Sequence, residues 1–135
     1  MIQELGGAVR VFSRAGWNDG RNESWAYTEV DDTFEIGADL RGIRWRRPFD
    51  KIGLALVTNG LSQPHREYLR LGGLGFLLGD GNLHYARETI VEQYYNIQIW
   101  RGFSMAEDLQ FIANPGYNQD RGPAWVFSLR GHLEF

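Results

Sequence analysis

Ala124-Trp-Val-Phe-Ser-Leu-Arg-Gly-His-Leu-Glu-Phe135 alternates without a break. Trp125, Phe127, Leu129, Gly131, Leu133 and Phe135 fall on one face of an extended chain; Val126, Ser128, Arg130, His132 and Glu134 fall on the other. Side chains of a strand point alternately to its two faces, so this period of two predicts a strand with one apolar and one polar side. Trp125 and Phe135 stand ten residues apart. At about 3.3 Å per residue and a tilt near 40°, they are separated by roughly 25 Å along a barrel axis, the height of the apolar band a barrel shows to an outer membrane. The segment reads as the closing strand of a transmembrane β-barrel. An amphipathic strand in a soluble all-β module would alternate in the same way.

Working back along the chain, five more segments carry strand patterns. Residues 7–16 set Val9, Val11, Ser13 and Ala15 against Arg10, Phe12 and Arg14. Residues 32–42 set Phe34, Ile36, Ala38 and Leu40 against Thr33, Glu35, Gly37, Asp39 and Arg41. Residues 52–59 are weaker, with Ile52, Leu54 and Leu56 opposed to Gly53, Ala55, Val57 and Asn59. Residues 89–100 set Val91, Tyr95, Ile97 and Ile99 against Glu92, Tyr94, Asn96 and Gln98; residues 103–114 set Phe103, Met105, Leu109, Phe111 and Ala113 against Ser104, Asp108, Gln110 and Asn114. Glu107 breaks that last pattern by falling on the apolar side.

The connections alternate in length. Residues 17–31, 60–88 and 115–123 are long, whereas Arg101-Gly102 is a hairpin-type turn. Residues 43–51 are longer than the usual inner turn of a barrel. Counted back from a last strand that descends to the periplasm, the long connections fall outside and the short ones inside, as barrel topology requires. A soluble sandwich gives no reason for this regularity. The connection over residues 61–87 is expected to be a long extracellular loop: Ser62-Gln-Pro-His-Arg-Glu-Tyr-Leu-Arg-Leu71 reads as a short capped helix stopped by Gly72-Gly73, followed by an apolar, glycine-rich stretch to Gly81. Loops of this length usually serve function.

Composition agrees with one all-β domain. The chain has 135 residues, with 17 Gly against 4 Pro, 5 Trp, 6 Tyr and 8 Phe. No run approaches 18 apolar residues, which excludes a transmembrane helix; low mean hydropathy does not exclude a barrel, whose lipid-facing residues alternate with polar ones. A net charge of −3 with interspersed signs argues against a nucleic-acid partner, and the lack of cysteine excludes disulfides and thiolate metal sites. Arg supplies every basic residue except Lys51. His65, His84 and His132 lack metal-ligand spacing, Asn18-Asp-Gly-Arg-Asn22 lacks the full pattern of a Ca²⁺ loop, and residues 73–79 lack the context of a dinucleotide site. The first seven residues have neither the basic nor the apolar region of a signal peptide, so a barrel protein would be represented here by a piece.

Several stretches resemble the carbohydrate-selective outer-membrane porins of the OprB type, specifically their C-terminal part. They are Phe12-Ser-Arg-Ala-Gly-Trp-Asn-Asp-Gly20, Gly53-Leu-Ala-Leu-Val-Thr-Asn-Gly-Leu61, Gly72-Gly-Leu-Gly-Phe-Leu-Leu-Gly-Asp-Gly81 with Leu83, Tyr85 and Glu88, and Phe111-Ile-Ala-Asn-Pro-Gly-Tyr-Asn-Gln-Asp-Arg-Gly-Pro123. The last is the most specific. The resemblance implies a barrel of about sixteen strands that passes sugars passively, in contact with outer-membrane lipid. It also implies that the terminal strand resembles the signal read by the barrel-assembly machinery, and it leaves room for a homo-oligomer. Six strands fall short of the eight of the smallest barrels, so the remaining strands are expected from elsewhere. No catalysis, metal or cofactor is implied.

On this reading the pore wall would carry Arg10, Arg14, Arg41 and Arg130 against Glu35, Asp39, Glu92, Asp108 and Glu134. Such a mixture favours hydroxyl-rich neutral solutes over ions. Phe12 and Tyr94 would offer rings to a sugar's apolar face, and Arg10 and Arg14, flanking Phe12 on one face, are the best candidates for a sugar contact. The plainer reading of each is a solvated wall residue in a cross-strand ion pair. Glycosidase-like carboxylate pairs, Glu35 with Asp39 or Glu92 with Asp108, are the less favoured reading, since wall charges are far commoner. Trp17, Trp25, Tyr27, Trp100, Trp125 and Phe135 read as aromatics of the membrane interfaces. The rival functional reading is a soluble carbohydrate-binding or interaction module.

Overall fold

The computed structural model describes residues 1–5, 7–22, 29–75, 78 and 83–135. Among them seven strands form one antiparallel sheet in chain order. They are β1 (Ile2–Leu5), β2 (Val9–Trp17), β3 (Asp32–Gly42), β4 (Arg47–Gly60), β5 (Glu88–Trp100), β6 (Phe103–Ala113) and β7 (Ala124–Leu133). A helix, α1 (Gln63–Arg70), and 3-10 turns at Ile43–Trp45 and Pro115–Tyr117 occupy connections. The sheet is open: β1 and β7 lie at opposite edges.

The alternation correctly locates six of these strands, and three details differ from it. β1 is an additional strand, too short for a period of two to show; it pairs Ile2 with Phe12 and is clamped at its start by mutual Met1–Ser13 main-chain bonds of 2.7 and 2.9 Å. β7 stops at Leu133, leaving Phe135 beyond it. β4 begins at Arg47, so the connection before it is a tight turn closed by Arg46 in a left-handed conformation. Pairing there jumps from Lys51–Arg41 to Arg47–Gly42, and Pro48, which has no N–H to give a ladder, sits in the irregular stretch.

Asp50 secures that stretch. It is 1% exposed, and its carboxylate accepts hydrogen bonds from the Arg47 guanidinium, the Tyr95 hydroxyl (2.7 Å) and the Gln98 N–H (2.9 Å). Trp45 Nε1 donates in turn to the Tyr95 oxygen at 3.2 Å, and Arg47 Nη2 to the Gln98 carbonyl at 2.8 Å. A buried carboxylate needs such donors, because desolvation without them is costly.

The register sorts the two faces. Rows such as Ser13–Ile36–Leu56–Val91–Phe111–Trp125 and Val11–Ala38–Leu54–Gln93–Leu109–Phe127 make one face mostly apolar; its polar exceptions include Ser13, Gln93 and Glu107, with Asp32, Thr58 and Thr89 near the sheet end. That face is bare: Phe34, Ile36, Leu54, Leu56, Phe127 and Leu129 are 43–67% exposed. A soluble sandwich would bury such a face under a second layer. Trp17 and the Phe111–Trp125 pair (ring centroids 4.9 Å) mark one end of it, Trp100 stacked on Phe103 (4.5 Å) the other. A register shift after Gln98 brings Trp100 opposite Phe103. Trp25 and Tyr27 lie outside the described residues.

The fully buried apolar residues among those described are in the long connections. Leu61, Leu69, Leu78 and Tyr117 pack together with Leu83 and Tyr85. α1 starts at its Ser62 cap, whose Oγ accepts from His65 N–H at 3.3 Å, and turns Leu69 inward. Of the glycine-rich stretch after it, Phe76, Leu77, Gly79, Asp80 and Gly81 lie outside the described residues. Arg66 stands 4.3 Å over the Tyr85 ring, and the Tyr117 hydroxyl donates to the Glu29 carbonyl at 2.7 Å. The Asn114–Pro123 segment is thus a packing motif here: Tyr117 and Asn118 are buried and Asn114 donates to the Arg87 carbonyl at 3.0 Å.

Burial, with the charges of Glu88 and Asp31 behind it, holds the Tyr117 phenol well above the ordinary tyrosine range. An unfolded tyrosine ionises near pH 10. Above that pH the open form of the cluster loses its proton while the packed form keeps it, so stability falls as pH rises. Amides around Tyr117 are expected to lose hydrogen-exchange protection from about pH 10 upward. Tyr117→Phe, with no phenol to ionise, should lack this step after correction for intrinsic exchange.

Candidate functional site

The opposite face is polar, and ten of the eleven wall residues picked from the sequence lie on it; Glu134 falls beyond the end of β7. One row across the sheet runs Arg10–Asp39–Gly53–Tyr94–Asp108–Ser128. Arg10 and the nearly buried Asp39 form an ion pair. The next row towards the end with the long connections runs Phe12–Gly37–Ala55–Glu92–Gln110–Val126, with Gln110 Nε2 donating to Glu92 at 3.0 Å. The Phe12 ring lies over Gly37 and the Tyr94 ring over Gly53; an added Cβ at either glycine would collide with the ring. Those two glycines let the aromatics lie down along the wall instead of standing into the space beside it.

A third row, Arg14–Glu35–Val57–Ile90–Ile112–Ala124, begins with a loose ion pair of 3.7 Å and becomes apolar. On the opposite side of the central row, Arg41 pairs in register with Lys51, and Asn96, Ala106 and Arg130 continue the line. The face therefore brings Arg10, Asp39, Tyr94 and Asp108 into one line and sets Phe12 and Glu92 beside it. It leaves Arg41 and Arg130 apart, without an ion pair among the described residues.

Sequence reasoning missed Lys51, whose place was hidden because the irregular Pro48-Phe49 start masked the alternation that runs Lys51, Gly53, Ala55, Val57, Asn59. It also missed Ile90 and Ile112, whose inward parity was there to be counted. Glu107 does fall on the apolar face, opposite Tyr95 and Leu129, and has no ion pair among the described residues.

The long connections are tied to the end of the polar face. Thr33, Asn59 and Glu88 extend its rows to the sheet end, joined by Thr33–Asn59 (2.8 Å) and Asn59–Glu88 (3.3 Å) bonds. Glu88 also accepts from Gly116 N–H at 2.9 Å, while Asp31 accepts from Ser62 N–H at 2.8 Å and pairs with His65 Nδ1 at 2.9 Å. Asx turns shape the 18–22 segment: Asn18 accepts from Gly20 N–H and Asp19 from Arg21 N–H. Among the described residues no cluster of His, Asp and Glu has the form of a metal site.

One sheet layer, a bare apolar face ended by aromatics, a polar face opposite and alternately long and short connections define the wall of a transmembrane β-barrel. The model of the carbohydrate-selective porin, OprB family, matches residues 1–135, and the chain belongs to that family. A high-pH structure of Pseudomonas putida OprB has the same fold, with a TM-score of 0.74 at 20% identity, over 94% of this chain and 30% of that one. No curated protein matches the chain. Membership of that family places it in the outer membrane, among channel-forming proteins.

Proposed function

We propose that the polar face lines the pore of a closed barrel through which small neutral sugars diffuse passively. The observation that carries this is the central row: the Arg10–Asp39 pair and the Tyr94 ring lie side by side, with the flat Phe12 ring in the adjoining row. Hydroxyl groups both give and take hydrogen bonds, and the C–H face of a pyranose stacks on aromatic rings. A wall of paired charges offers such contacts without holding a net ion, and weak contacts let a solute leave as readily as it enters.

On the same reading the 61–87 connection is extracellular, the apolar face meets lipid, and the terminal strand engages the barrel-assembly machinery. Barrels can pack through the lipid face as a homo-oligomer. No catalytic step or cofactor enters this reading.

Arg10→Ala and Arg14→Ala in the complete barrel test it. A lost charged hydrogen bond corresponds to about tenfold or more in sugar affinity, read from the block of single-channel current. Arg10→Ala should have the larger effect, since it also strips Asp39 of its partner. Unchanged block in both variants removes these residues from the site.

A further inference from the structure

A cleft of about 380 Å³ opens between the 20–22 turn and α1, away from the rows of the wall. Arg21, Asn22, Glu29, His65, Tyr68 and Leu74 are among its lining residues. We propose that it is a saccharide-binding site at the outer mouth, where a neutral sugar is first held before it reaches the wall. This rests on the pore reading above and adds to it a second, separate subsite.

The size is that of small-molecule pockets, which run from about 300 to 1,000 Å³. Its chemistry is that of a sugar site. Tyr68 lies against the backbone of Gly73 and is still 46% exposed, so a ring is presented on a settled support. His65 is fixed: its side chain is 13% exposed and its Nδ1 meets the buried Asp31 carboxylate. A carboxylate only accepts, so Nδ1 carries the hydrogen and the ring is held in one orientation on the cleft wall. Arg21 and Asn22 add donors on the facing wall; Arg21 already has Asp19 at 4.0 Å and Glu29 also lines the cleft, which suits a neutral ligand over an acidic one.

The two walls of the cleft are also joined. A Cβ on Gly20 would run into the Ser62 hydroxyl and the Asp31 carboxylate, so the turn is pressed against the helix cap. Asn18 N–H donates to the Asp31 carbonyl at 2.7 Å, tying the start of this segment to the residue before β3. The cleft is thus built before any ligand arrives, which lowers the cost of binding.

Sidedness of sugar block in the complete barrel tests the proposal, with glucose and maltose added to either side of a planar bilayer. Tyr68→Ala should lower the association rate from the outer side roughly three- to tenfold, the worth of one aromatic contact, and leave the inner-side rate unchanged. Tyr68→Phe, which keeps the ring, should restore the outer-side rate. Heat-modifiable migration on gels reports that each variant is folded. An unchanged outer-side rate in folded Tyr68→Ala, or equal changes from both sides, overturns the cleft and leaves the pore standing. A parent barrel blocked by sugar from neither side overturns both.

Discussion

Phe127→Arg should destabilise the complete barrel by about 2–4 kcal/mol when it is refolded into lipid, the cost of a cation near the bilayer midplane. Phe127 lies near the middle of β7, on the bare apolar face, in register with Leu109. Its direct cross-strand partner carries no charge, and Glu107 is only its diagonal neighbour. Leu129→Arg provides the contrast, because Leu129 stands in register with Glu107. An arginine there would find a cross-strand partner, a pairing worth about 0.2–1 kcal/mol, so its penalty should be the smaller of the two. Removing that carboxylate with Glu107→Gln should then bring the Leu129→Arg penalty up to that of Phe127→Arg. Equilibrium unfolding of the four proteins measures all of this; wild-type stability of both arginine variants would mean that the face does not meet lipid.

Asp50→Ala should be the most damaging change at the end of the sheet with the short turns. It orphans the Gln98 N–H and strips the Tyr95 hydroxyl of its acceptor, at about 1–3 kcal/mol for each buried group left unsatisfied. Asp50→Asn keeps one carbonyl oxygen and should cost less. The same loss should free the 47–50 segment, so increased exchange at Gln98 N–H, with β6 and β7 unaffected, distinguishes this local role from general unfolding. Equal stability of Asp50→Ala and the parent would show that the network contributes nothing.

Most of the wall was legible because a strand facing two media must alternate, and bounds such as 32–42 follow from that alone. The polar face was legible for the same reason, but its pairings were not: the long 17–31 connection sets no register, so Arg10 opposite Asp39 emerges only from the folded sheet. What stayed hidden depends on contacts that no period records. Arg47-Pro-Phe-Asp-Lys51 looked like a turn because Pro48 and Asp50 are poor strand residues; it extends β4 only because Asp50 finds its donors on β5. The outer cluster joins Glu29 to Tyr117 and Leu78 to Arg121, across distances in sequence that leave no local signal. The mouth cleft follows from that cluster, and so none of its residues was among the candidates.

The open rims of the sheet set an order of events. Main-chain N–H and C=O groups along the outer side of β7 cannot stand in hydrocarbon unmet, so this wall cannot settle in a bilayer until further strands cover them. The ties of the loop cluster, through Asp31, Asn59, Glu88 and Gly116, belong to the residue before β3, to β4 and β5, and to the turn after β6. Among the described residues none of these ties reaches either rim. The vestibule can therefore take its final shape while the seam is still unzipped, and closing the seam need not disturb it.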